Sequence, residues 1–123
     1  MPYKAIDATE IEAEREGRFR RVRVALGVSA FGINHIHLPP DGRGKEHDES
    51  ATGQEEVYFV LDGDGVMAVD GELVELRPNR YVFVPPGTTR QVQAGANGVS
   101  YICVGAPPGR GYEPPQPSTA TAR

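Results

Sequence analysis

Tryptophan is absent, cysteine occurs once, and no apolar run approaches the roughly 20 residues that a membrane-spanning helix needs. The single cysteine, Cys103, excludes an internal disulfide, and it sits in the strand-like run Val99–Val104, where a packed thiol is expected rather than a nucleophile. The opening MPYKAIDATE lacks the apolar core of a secretory leader, so a cytoplasmic protein with no membrane partner is expected. Basic residues cluster only at Arg18-Phe19-Arg20-Arg21, and the net charge is −4. Nucleic acid is therefore not an expected partner, because phosphate binding is driven by clustered Lys and Arg. That short cluster reads as the solvated start of a strand.

What the chain does have is turn chemistry. Fifteen glycines and eleven prolines in 123 residues point to short strands separated by turns, and the length suits one all-β domain with one core. An N-terminal segment, 1–20, contains one short helical turn that Thr9 caps and Gly17 ends. Arg21–Leu26 alternates polar and apolar residues, the period of a half-buried strand. Phe31–Leu38 reads as a second strand, closed by Pro39-Pro40, which cannot donate ladder hydrogen bonds. Residues 39–54 form a long polar loop, of a length that usually carries function or is mobile, and 41–54 is expected to be more mobile than the strands and to become ordered when a ligand occupies the barrel. Strands follow at 57–61, 66–69, 72–76, 81–84, 90–93 and 99–104, with Asp70-Gly71 as a type I′ hairpin signal and turns at 62–65 and 95–98. That makes roughly eight strands, the count of a jelly roll or small barrel. The domain is expected over 21–106. From 107 to 123 the chain turns Pro-rich and polar, the composition of a disordered tail.

Histidine and carboxylate side chains, the ones that bind divalent metals or move protons near neutral pH, gather around residues 47–56. His47 is followed by Glu49, then by Glu55-Glu56 at the head of Val57–Leu61. Strand alternation places Glu56, Tyr58 and Val60 on one face and Val57, Phe59 and Leu61 on the other. His35 and His37 share a strand face and form a pair able to chelate metal. The opposite row, Asn34, Ile36 and Leu38, is the better core face, so the two histidines are expected on an outer or interface surface.

The stretch from His47 through Glu56 to Gly63 resembles the first motif of the cupin family, a His-x-His pair followed by Glu and then, after six intervening residues, by Gly. Here Glu49 stands at the second histidine and the gap before Glu56 is longer. The second motif resembles Gly, then Pro-x-Gly, then His; Asn79 takes the first glycine's place, Pro85-Pro86-Gly87 matches, and Arg90 takes the histidine's place. The strings GQEEVYFVLDGDG, VPPGTTR and GVSYICVGAPPG are similar to small single-domain bacterial cupins. The resemblance implies a cupin double-stranded β-helix, a jelly-roll barrel, with Glu56 and Tyr58 facing its interior, and a homodimer paired through sheets and N-terminal strands.

Three chemistries are open, and the expected one is binding of a small organic acid in the barrel with a divalent metal as a possible addition, because the Arg90 guanidinium cannot be a ligand and repels a cation. In one, His47, Glu49 and Glu56 hold a divalent metal (Fe, Mn, Ni or Zn) in an oxygenase, isomerase or lyase. In another, no metal binds and the barrel holds a small organic acid, with Arg90 clamping its carboxylate and Tyr58 and Glu56 orienting it. In the third, Glu56 or His47 acts as a general base beside Arg90, with Tyr58 in the same catalytic group. The bland alternative is a buried Glu56–Arg90 ion pair with His47 capping a loop.

Overall fold

The computed structural model describes residues 2–115. It contains six strands: β1 (Phe19–Arg20), β2 (Gly32–Leu38), β3 (Glu55–Val69), β4 (Glu72–Leu76), β5 (Tyr81–Val84) and β6 (Arg90–Ala106). One short helix, α1 (Val22–Leu26), and a 3₁₀ turn at Ala8–Glu10 complete the regular structure. All pairings are antiparallel, in the order β1-β2-β6-β3-β4, with β5 also on β3. The all-β expectation holds.

Two long bent strands organise the molecule. The first half of β3 lies between β5 and the second half of β6, while the second half of β3 lies between β4 and the first half of β6. β3 and β6 thus belong to both layers of the barrel. The runs expected as separate strands on either side of 62–65 and 95–98 are continuous instead. The two glycine-rich segments face each other, with Gly63 opposite Val99 and Gly65 opposite Ala94, and the register shifts there in two places. A bulge bends a strand without ending its pairing. Gly63 allows it: its φ is 84°, and a Cβ would strike the Gly98 carbonyl.

The alternating segment Arg21–Leu26 is a helix, not a strand. β1 pairs with β2 for only two residues, so the chain beyond Arg20 has no ladder to join there. The amides of Gly27 and Val28 both bond to the Arg23 carbonyl, at 2.8 and 3.1 Å, and left-handed Gly27 closes the turn. Upstream, the 3₁₀ turn is opened by Asp7, whose amide donates to Glu10 Oε1 at 3.0 Å, rather than by Thr9. The hairpin at Asp70-Gly71 forms as the sequence indicates, both residues having positive φ.

The core joins both layers: Phe19, Ile36, Leu38, Tyr58, Val60, Met67, Leu76, Val84, Val92, Val99, Tyr101 and Cys103 are buried together. The alternation along β3 is as expected, with Glu56, Tyr58 and Val60 inside and Val57 and Leu61 exposed. On β2, Ile36 and Leu38 are buried, His37 is exposed and His35 is half-buried. His37 Nδ1 lies 2.8 Å from Ser100 Oγ on the neighbouring strand.

Candidate functional site

Segment 41–49 is a loop by shape, yet it is bonded along the first half of β6. The Gly44 amide donates to Val92 O at 2.9 Å, and His47 and Arg90 exchange both backbone hydrogen bonds, at 3.0 and 2.9 Å. This exchange sets His47 directly beside the first residue of β6. The Glu49 amide then donates to Pro86 O at 2.7 Å, which turns the Glu49 carboxylate inward. These bonds work against the loop mobility expected from composition, because paired backbone resists local opening.

Glu56, Tyr58 and Arg90 form a closed network inside the barrel. Arg90 Nη2 donates to Glu56 Oε1 at 2.8 Å, Tyr58 Oη donates to the same oxygen at 2.9 Å, and Arg90 Nε reaches Tyr58 Oη at 3.3 Å. Arg90 Nη1 donates to the Thr88 carbonyl at 2.7 Å and to the Pro85 carbonyl at 3.4 Å. Glu56 and Arg90 are each only 1% exposed. Burial pushes the Tyr58 phenol well above its usual range, with Cys103 and Glu56 adding to the effect. Burial works to lower the Arg90 pKa, but the Tyr58 oxygen and the Glu56 carboxylate outweigh it and the guanidinium ends above its ordinary value.

His47 joins this network to the outside. Its Nδ1 lies 3.1 Å from the Lys45 carbonyl, which can only accept, so Nδ1 carries the hydrogen. Its Nε2 is 3.3 Å from Glu49 Oε2 and 3.9 Å from Glu56 Oε1. The first separation is an ion-pair distance without hydrogen-bond alignment, and Nε2 is buried with no hydrogen-bond partner. Glu49 is steadied by Thr52, whose hydroxyl donates to Glu49 Oε1 at 2.8 Å. Among the described residues, His47, Glu49 and Glu56 bring ligand-capable atoms within 4.8 Å of one another.

Among the described residues, little space lies beside the buried network and more lies outside it. The gap beside Tyr58, Arg90 and Tyr101 is about 10 Å³, which is room for one water at most. Outside it, a cavity of about 410 Å³ lies between Lys45–Gln54 and Pro107–Pro115, with His47 and Glu49 in its wall. The residues expected to form one site therefore divide. His47 and Glu49 reach the cavity, while Glu56, Tyr58 and Arg90 stand behind them.

The sequence model of the cupin domain matches residues 34–105. The chain belongs to the cupin family. It is similar in structure to a cupin protein from Bacteroides fragilis, at 22% identity and TM-score 0.74 over 92% of each chain. It also resembles a polyketide cyclase from Streptomyces resistomycificus, at 19% identity and TM-score 0.70, covering 83% of this chain and 78% of that one. A sugar phosphate isomerase from Silicibacter pomeroyi gives 22% identity and TM-score 0.69, covering 83% and 74%. At these identities the likeness speaks for the fold alone. An uncharacterised protein of Methanocaldococcus jannaschii is 31% identical over 55 residues, and the match spans 44% of each chain.

Sequence reasoning on this cupin missed Thr52, Lys45 and the 107–115 wall. Thr52 lies three residues after Glu49, a spacing that could have flagged it. Nothing in the Pro-rich composition of 107–115 marked it as part of a cavity. Of the tail expected over 107–123, residues 116–123 lie outside the described residues; within 107–115, Pro107 is buried and Tyr112 and Pro115 are half-buried.

Proposed function

We propose that this cupin holds a divalent cation with His47 Nε2 and the carboxylates of Glu49 and Glu56, and presents it to a small oxygen-bearing molecule in the mouth cavity. The observation that carries the reading is the buried, unpartnered Nε2 facing two carboxylate oxygens. Such an arrangement is complete only with a proton on that nitrogen or a cation between the groups. The donor set fits a cation. One imidazole and two carboxylates suit Fe, Mn, Ni or Zn, and three protein ligands leave positions open for water or a ligand. When bound, the ion would supply a Lewis acid. The residues of this chain do the rest: the Lys45 carbonyl selects the ring tautomer, Thr52 orients Glu49, and Arg90 offsets part of the carboxylate charge.

A second reading, small-molecule binding without metal, draws on Glu56 Oε1, which already accepts from Tyr58 and Arg90. Both readings move the ligand from the interior to the mouth. Arg90 spends donors on Glu56, Tyr58 and two carbonyls, so its role in both is to hold the charge of Glu56 rather than to clamp a ligand. Enzymatic activity of isomerase, lyase or oxygenase type belongs to the first reading, and the isomerase and cyclase among the similar structures are in keeping with it. Elemental analysis of protein purified without an affinity tag, with calorimetry using Mn²⁺, Ni²⁺ and Zn²⁺, tests the choice. Stoichiometric metal that His47→Ala and Glu49→Gln lose supports the first reading; no metal and no heat leaves the second.

A homodimer is part of the proposal. Its support is the outer face of the sheet, where Val57, Phe59 and Leu61 lie beside Tyr81 and Phe83, with Ile102 and Val104 alongside. A cytoplasmic location is part of the same proposal, in keeping with a chain whose one cysteine, Cys103, is buried in the core.

A further inference from the structure

The structure assigns Arg110, carried on the segment that walls the mouth cavity, as the residue that selects a small organic oxyanion, a carboxylate or a phosphate monoester, for that cavity. This inference rests on the proposed cation site, since the same ligand must also reach His47 and Glu49.

The segment 107–115 leaves the end of β6 and is seated at two points. Arg110 Nη2 contacts the Thr52 carbonyl, on the loop that carries Glu49. Tyr112 lies against Gly32 at the start of β2, with Arg23 5.9 Å from its ring centre. Both seats are glycines that leave room. A Cβ at Gly32 would come within 2.8 Å of the Tyr112 hydroxyl, and one at Gly53 within 2.8 Å of Arg110 Nη2. Pro107, Arg110, Gly111 and Glu113 then line the same cavity as His47 and Glu49.

Charge identifies the ligand. Among the described residues, Arg110 and Lys45 are the Lys and Arg side chains in the cavity wall. Among the described residues, no carboxylate lies within ion-pair distance of either. Arg110 instead touches a neutral carbonyl, which leaves a forked cationic donor set beside a cavity. The other arginine of the region, Arg90, is paired with Glu56 and buried, so it is not available to a ligand there. The wall also holds Asp48, Glu49 and Glu113, which disfavour an anion in general. An oxyanion is therefore accepted only where it meets Arg110 at one end and the cation at the other, a two-point requirement that rejects neutral molecules and bare monovalent anions. A guanidinium fork meets a carboxylate or a phosphate with two parallel hydrogen bonds, the geometry that separates arginine from lysine here.

The test uses the full chain loaded with Mn²⁺ and three calorimetric probes: succinate, glycerol 1-phosphate and uncharged glycerol. The expected result is binding of one or both anions and none of glycerol, with Arg110→Ala weakening the anion by about 10- to 100-fold, Arg110→Lys recovering part of that loss, and Mn²⁺ affinity unchanged. Which anion binds tells carboxylate from phosphate. A second measurement guards against a variant that disturbs the segment: in the unmodified protein, the bound anion should slow tryptic cleavage after Arg110. Equal anion affinity in Arg110→Ala, binding of glycerol as tight as that of the anions, or unchanged cleavage would each overturn the inference. So would Mn²⁺ binding with no response to any probe, which leaves the proposed cation site standing; failure of Mn²⁺ itself to bind removes that site and the inference with it.

Discussion

Two arginines lie near the same histidine and glutamates, Arg90 paired with Glu56 and Arg110 lining the cavity that His47 and Glu49 reach, and their surroundings are opposites. Arg90 begins a central strand, is 1% exposed and donates to Glu56, Tyr58, Thr88 and Pro85. Arg110 lies on a Pro-rich segment, is exposed, and donates to the Thr52 carbonyl, with no carboxylate in ion-pair reach among the described residues. A buried charge must be matched within the protein, because removing it from water costs several kcal/mol that only partners restore. A charge at a cavity carries no such demand, so it remains available to a ligand. Residue type in a motif position therefore does not identify the binding group; the state of its donors does.

The comparison breaks most visibly at Arg90. Arg90→Ala removes the guanidinium that balances the buried Glu56 carboxylate and should cost about 3–5 kcal/mol in denaturant unfolding. Arg90→Met combined with Glu56→Leu, which removes both charges, should cost markedly less than Arg90→Ala alone. Equal losses in the two proteins would show that packing, rather than charge, dominates there.

Mouth residues should show the reverse balance. His47→Ala and Glu49→Gln should lower divalent-metal affinity by at least about tenfold while changing stability by about 1 kcal/mol or less. Thr52→Val should act in the same direction but more weakly, since it only loosens Glu49. Calorimetry and thermal unfolding on the same samples separate the two effects.

The outer face offers a third contrast, apolar yet exposed. Tyr81→Lys with Phe83→Lys should turn a dimer into a monomer in sedimentation with little change in the fold, and a monomeric unmodified protein at the same concentration would refute the pairing. The smallest expected effect is at His35. Burial lowers its pKa, with Arg20 and His37 contributing. Below the ordinary imidazole range the unfolded chain then takes up a proton that the folded chain resists, so stability falls as pH drops through that range. Above it both states are neutral and the effect vanishes. His35→Gln should flatten the slope between about pH 7 and 5.

Much of this cupin could be read from local pattern. Alternation along Glu56–Leu61 put Glu56 and Tyr58 on one face, which the cupin resemblance turned inward, Asp70-Gly71 marked its hairpin, and Ile36 with Leu38 marked the core face of β2. These features depend on a residue and its near neighbours, which is why a period of two or a pair of positive-φ residues suffices to find them. What lay beyond reach depends on contacts between distant segments. Arg21–Leu26 has a strand's period but meets no strand to pair with; 62–65 and 95–98 have a turn's composition but face each other and continue as bulged strands. The same holds at the site. His47 and Arg90 are 43 positions apart by their numbering, and the backbone hydrogen bonds that hold 42–49 along β6 and to Pro86, the His47–Arg90 pair among them, bring the histidine to Glu56. The Pro-rich segment after Ala106 has the composition of a solvated tail, and its place over the mouth comes from Arg110 meeting Thr52 and Tyr112 meeting Gly32. Composition carries no trace of such contacts, because their energy is spent between surfaces that exist only once the barrel has closed.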